Sequence, residues 1–117
     1  MSIRFFLCAG IALLAACGPA KQEQALAARR AEQLRPADAR LAALYERSCL
    51  NCHARADSGA PLTGQPEAWG LRSARGLPAL VQSAKQGLGA MPAMGLCADC
   101  SDVDLRDLIT FMQSPSP

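Results

Sequence analysis

The chain is predicted to fold as an all-α domain, and three observations carry that prediction. Nowhere in its 117 residues do apolar and polar side chains alternate as a half-buried strand requires. Apolar residues recur instead at three- and four-residue spacing in several separate segments. Prolines stand where those segments begin and a glycine where one of them stops, positions that tolerate a missing N–H or a left-handed backbone. Aromatic residues make up only 4% of the chain, so the core of so small a domain needs another source of apolar bulk.

Met1-Ser2-Ile3-Arg4 precedes an apolar run from Phe5 to Ala16. One positive charge, a short apolar core and small residues before a cut site make residues 1–16 a secretory signal, too short to persist as a spanning helix. Leu14-Ala15-Ala16-Cys17 resembles the bacterial lipoprotein cleavage motif, in which the cysteine takes lipid on sulfur and becomes the new N-terminus. Polar residues follow Cys17 at once, as that reading requires. Two or more acyl chains hold a protein much more firmly than one, at about 0.8 kcal/mol per buried methylene. The expected location is the periplasmic face of a bacterial membrane, with Cys17 as the anchor. Glycine rather than aspartate after Cys17 favours the outer membrane by analogy with lipoprotein sorting.

Residues 17–35 are rich in Ala, Gln, Glu and Arg without a good apolar stripe, and are expected to act as a partly helical tether. Such a tether reaches roughly 30 Å if helical and up to about 60 Å if extended. The globular domain is expected over residues 36–117. Pro36 suits a first helical turn, and Leu41, Leu44, Tyr45 and Ser48 carry the helical spacing into Cys49. Residues 54–65, with Gly59, Pro61 and Gly64, form a loop. Pro66 opens a helix through Trp69 to about Ser73, and another runs from Leu77 to Gln86 with Gly87 as its stop. Residues 87–95 hold too many Gly and Pro for regular structure. Ser101 and Asp104 form a capping box before a last helix with Leu105, Leu108, Ile109 and Met112 on one face.

Cys49-Leu50-Asn51-Cys52-His53 is a C-x-x-C-H run. That spacing suits covalent haem: two nearby thiols add to the two vinyl groups of one porphyrin, and the next residue brings an imidazole under the iron. His53 is the chain's only histidine, so the proximal ligand has one candidate. Export places the chain where disulfides persist, and the six cysteines then divide completely. Cys8 leaves with the signal, Cys17 carries lipid, Cys49 and Cys52 take haem, and Cys97 and Cys100 are close enough to bridge across a tight loop. A buried porphyrin would also supply the bulk that the aromatic residues do not.

The second axial ligand has no histidine to draw on, which leaves Met91, Met94 and Met112. Met112 lies on the apolar face of the last helix and is expected to pack in the core. Met91 precedes Pro92 in a Gly-rich loop whose backbone is held extended, so its thioether can approach a flat ring. Met94, in the same loop, is the rival. Methionine opposite histidine stabilises ferrous iron and closes the sixth position to small molecules, which favours electron transfer.

Leu44-Tyr45-x-x-x-Cys49-x-x-Cys52-His53, then Gly59-Ala60-Pro61, Trp69, Gly89-Ala90-Met91-Pro92 and Gly95-x-Cys97-Ala98-Asp99-Cys100-Ser101 together resemble the cytochrome c5 family of small bacterial class I c-type cytochromes. The resemblance covers about Leu41 to Met112. It implies the class I cytochrome c fold, three to four short helices wrapped around one covalently attached haem c. It implies thioethers at Cys49 and Cys52, axial ligands His53 and Met91, and a Cys97–Cys100 disulfide. It further implies that the carbonyl of Pro61 accepts a hydrogen bond from the His53 ring and that Trp69 packs near the haem. Ala93-Met94 departs from residues commonly polar in the family and keeps Met94 in play.

The expected function is that of a membrane-tethered periplasmic carrier of single electrons between respiratory redox proteins, not an enzyme, present as a monomer or weak dimer. The alternatives are a haem enzyme or gas sensor with a labile methionine, and a structural zinc module built on Cys49, Cys52, Cys97 and Cys100. The chain carries 12 basic and 10 acidic residues, and losing Arg4 with the signal leaves it near neutral, with nothing that calls for nucleic acid. Basic residues prevail from Lys21 to Arg55 and acidic ones between Asp99 and Asp107, a polarity able to orient partners weakly.

Overall fold

The computed structural model describes residues 18–116; the expected export signal, Cys8, Cys17 and Pro117 lie outside them. All regular structure among the described residues is helical: α1 (Pro19–Ala31), α2 (Ala39–Ser48), α3 (Leu50–His53), α4 (Pro66–Ser73), α5 (Leu77–Gln86) and α6 (Asp102–Gln113), with a 3-10 turn at Ala93–Leu96.

The predicted starts and stops of α4 and α5 hold. Pro66 and Pro78 occupy the first turns, where no intrahelical N–H is needed, and Gly87 ends α5 at φ +83°. The second helix begins later than Pro36. Asp38 caps it, its carboxylate accepting the N–H of Leu41 at 2.8 Å, and a capped start at Ala39 satisfies an orphan donor that Pro36 cannot. At its other end the expected run into Cys49 is nearly continuous. Cys49 donates to the carbonyl of Tyr45 and accepts from His53, both at 2.9 Å, so the haem motif forms its own short α3 directly on the end of α2. Loop 87–95 is more ordered than its composition indicates: Leu88 and Met91 exchange backbone hydrogen bonds at 3.0 Å, and the 3-10 turn follows.

One core serves α2, α4, α5 and α6. Leu44 and Tyr45, Trp69, Leu80 and Ala84, and Leu105, Leu108, Ile109 and Met112 meet there, joined by Cys97 and Cys100. The face predicted for α6 is therefore its buried face. Tyr45 is completely covered, with its ring edge-on to Phe111 at 5.1 Å between centroids.

α1 is helical along most of the expected tether, and its C-terminal end packs on the domain. Ala27, Ala28 and Ala31 are buried, the first two in a second cluster with Leu62. Small side chains let the helix approach closely enough to cover that leucine without a conventional apolar stripe. Beyond it, Arg35 bonds the carbonyls of Glu32 and Leu34 and pairs with Glu46 at 2.6 Å, fixing the turn into α2.

The capping box of α6 is complete and carries an extra load. Ser101 Oγ accepts the Asp104 N–H, while the Asp104 carboxylate accepts the Ser101 N–H at 3.0 Å and also pairs with Arg40 of α2. The Arg40 guanidinium, followed by the Ser101 donors, holds the Asp104 carboxyl well below its ordinary value of 3.8. A depressed carboxyl binds fewer protons folded than unfolded, so its stabilisation is present above pH 3.8 and is lost as pH falls below it. Asp104→Asn is therefore expected to lower stability at neutral pH and to flatten its decline on acidification. Urea unfolding followed by circular dichroism between about pH 5 and pH 2 checks this; parallel acid limbs for parent and variant would contradict it.

Candidate haem-binding site

His53 ends α3 and is buried, which removes water from an imidazole that must then be held by protein groups. Three consecutive residues of the following loop do this. The Pro61 carbonyl accepts Nδ1–H of His53 at 2.8 Å. The Leu62 carbonyl accepts Nε1–H of Trp69 at 3.0 Å, and the Trp69 ring stacks on the His53 ring with centroids 5.5 Å apart and planes 11° from parallel. Thr63 donates its N–H to the His53 carbonyl at 2.8 Å, and its hydroxyl receives that of Tyr45 at 2.9 Å.

Burial pushes the His53 pKa down from 6.5; the Pro61 carbonyl opposes this, and the Arg72 guanidinium reinforces it. The ring is thus neutral at pH 7. With its proton committed to Pro61 at Nδ1, the lone pair is on Nε2. Cys49 is half-buried, and burial pushes its thiol up to about 11, with Cys52 adding to the rise and Arg47 opposing it. Both motif cysteines are free thiols, whereas Cys97 and Cys100 form a disulfide. That disulfide takes two of the four sulfurs that a zinc module would need.

The loop after α5 supplies the other wall. At Gly87, a Cβ would lie 2.9 Å from the Met91 carbonyl oxygen and 3.0 Å from the Ala93 nitrogen, so only glycine lets the loop fold back here. The turn brings Met91 and Pro92 to the same cavity as Cys49, Cys52 and His53. Met94 sits at φ +60°, packs against the core and does not line that cavity. The disulfide follows immediately: Cys97 donates to the Met94 carbonyl at 2.9 Å, and the buried bridge ties the end of the loop to the α6 cap.

The cavity measures about 440 Å³ and has mostly apolar walls, including Leu80, Ala84, Ile109 and Met112. Met112 is both core and wall. Arg72 and Ser48 are among the lining residues that the sequence did not assign to a site. Among the described residues Arg72 is the only charged side chain on the lining, and the kink at Gly70 between it and Trp69 means that no helical spacing announced it. Ser48 is buried there with a hydroxyl that has no partner among the described residues. A macrocycle whose two vinyl groups can take up the Cys49 and Cys52 thiols, in an apolar slot beside a neutral imidazole, fits this donor set.

Replacing Trp69 with Phe keeps a ring over His53 but leaves the Leu62 carbonyl buried without its donor. We expect a loss of about 1–3 kcal/mol, seen as a lower urea midpoint at unchanged slope. A change below about 0.5 kcal/mol would mean that water replaces the indole there.

Comparison with known proteins agrees with this geometry. The protein-family model for Cytochrome C oxidase, cbb3-type, subunit III matches residues 36–112, the region from just before α2 to within α6 and excluding α1. Cytochrome c5 of Ectopseudomonas mendocina is 39% identical over 71 residues, 59% of this chain and 82% of that protein. Cytochrome c5 of Azotobacter vinelandii is 41% identical over 66 residues, 55% of this chain and 80% of that protein. One chain of the crystal structure of the electron transfer complex of nitrite reductase with cytochrome c superposes with a TM-score of 0.57 at 34% identity, covering 65% of this chain and 93% of that one. A slot with free thiols at Cys49 and Cys52, in a helical frame shared with these proteins, makes the chain a member of the cytochrome c5 family, a c-type cytochrome with one covalently bound haem c.

Proposed function

We propose that this electron-carrying cytochrome works at the periplasmic face of a bacterial membrane, tethered through lipidated Cys17, and passes single electrons between respiratory redox proteins without catalysing a reaction of its own. One observation carries the site assignment. Cys49, Cys52, His53 and Met91, drawn from α3 and from the loop after α5, line one apolar cavity.

When bound, the haem supplies a one-electron iron couple. Cys49 and Cys52 would hold it through thioethers, and His53 would offer Nε2 to the iron while Pro61 keeps the ring from rotating. Met91 would offer a second donor, a soft thioether that favours the reduced metal. Leu80, Ala84, Ile109 and Met112 exclude water from the slot, and Arg72 places a positive charge at its edge. A methionine on the lining, Met91, supports a carrier over the alternative of a haem enzyme or gas sensor. The likeness to a chain from a nitrite reductase complex supports redox proteins as partners, and the half-exposed Leu88 and Leu96 beside the cavity offer an apolar rim for such contact. No helix among the described residues is long and apolar enough to cross a membrane, so attachment rests on the Cys17 signal. Gly18 favours the outer membrane.

Four outcomes test the proposal. His53→Ala should abolish stable holoprotein. Met91→Ala should convert the iron to a high-spin or solvent-ligated spectrum while Met94→Ala leaves it unchanged; the reverse pattern would transfer the role to Met94. The reduced parent should bind almost no carbon monoxide, and avid binding would favour the enzyme or sensor reading. Mass analysis of protein purified from membranes should find acyl chains on Cys17, and an unmodified N-terminus cut elsewhere would remove the tether.

A further inference from the structure

The N-terminal helix α1 stands outside the family match at residues 36–112, yet it covers the back of the segment that holds His53. Ala27 and Ala28 cluster with Leu62, and Ala31, one turn further along the same helix, has no exposed surface at all. Leu34, just beyond the helix, lies over Gly64, where a Cβ would come 2.5 Å from its Cδ1. Gly64 is fixed from the other direction as well. It donates to the Met112 carbonyl at 2.9 Å and accepts from Ser116 at 3.0 Å, at φ +79°. Leu62 and its neighbours Pro61 and Thr63, directly before Gly64, each bond His53 or the Trp69 ring stacked on it. None of residues 19–35 lines the haem cavity.

From this arrangement we propose that α1 is a positioning element for the proximal ligand: by packing on Leu62 it holds the Pro61 carbonyl against Nδ1–H of His53, and thereby sets the basicity of that imidazole and the reduction potential. The proposal rests on His53 being the axial ligand. A firm bond from Nδ1–H to a carbonyl makes the other nitrogen a stronger donor, which favours oxidised iron. Releasing α1 exposes Leu62, lets the Pro61–Thr63 segment open, and weakens that bond. The potential then rises. Because α1 forms no wall of the cavity, the release leaves the slot's own exclusion of water in place, and ligand basicity decides the sign.

The test compares Ala31→Glu, which places a charge at a fully buried contact, with Arg30→Gln on the exposed face of the same helix. Each lowers the net charge by one unit, so charge alone cannot separate them. In reduced full-length holoprotein, NMR reads the exchange rate of the His53 ring N–H and of the α1 backbone amides, and titration reads the potential. We expect A31E to lose α1 amide protection, to exchange the ring proton roughly tenfold faster or more, and to raise the potential, with R30Q matching the parent. If A31E yields no holoprotein, Leu62→Ala is held to the same two readouts. Loss of α1 protection with an unchanged ring exchange rate and potential would overturn the proposal, as would full α1 protection in A31E. Absence of hyperfine-shifted His53 ring signals in the oxidised parent would instead remove the ligand assignment itself.

Discussion

The hydrogen bond from Nδ1–H of His53 to the carbonyl of Pro61 is the contact on which the rest of the site depends. A buried imidazole with an unassigned proton has two tautomers and a freely rotating ring, and neither suits a fixed axial donor. The carbonyl removes both freedoms. It is itself positioned because Pro61 begins a short segment whose next two residues are also committed, Leu62 to Trp69 and Thr63 to the His53 backbone and Tyr45. The segment is irregular backbone, yet its polar groups facing the site are paired, so it is as well determined as a helix there.

The methionine side of the slot is built by a different device. There, Gly87 permits a tight reversal, a reciprocal pair of bonds between Leu88 and Met91 closes the turn, and the Cys97–Cys100 disulfide secures its far end. Both ends of this loop are attached to long helices, α5 before it and α6 after it, and those helices pack on each other. A side chain carried on such a loop is held from both of the loop's ends.

Much of this was legible in the sequence because it rests on local chemistry. The motif Cys49-x-x-Cys52-His53, the capping box Ser101–Asp104 and the glycine stop at Gly87 each act within a few residues, so their spacing announces them. The Pro61 contact was reached through resemblance rather than periodicity, since a carbonyl in a loop has no pattern of its own. Arg72 and Ser48 were missed because belonging to the lining depends on how α4 and α2 are set against α5 and α6. The start of α2 shifted from Pro36 to Ala39 because the Asp38 carboxylate competes successfully for the first free N–H.

By itself, the sequence determined the class of the protein: the thiol pair with its adjacent histidine, the lone histidine, the helical spacing and the loop methionines leave little room for another chemistry. Only the tertiary structure decided which of Met91 and Met94 faces the cavity, because both lie in one loop and differ by how the turn is folded. It alone brought α1 down onto Leu62. Alanines without a conventional apolar stripe look like a solvated tether in one dimension, and their smallness becomes meaningful only when a second surface comes close enough to be covered.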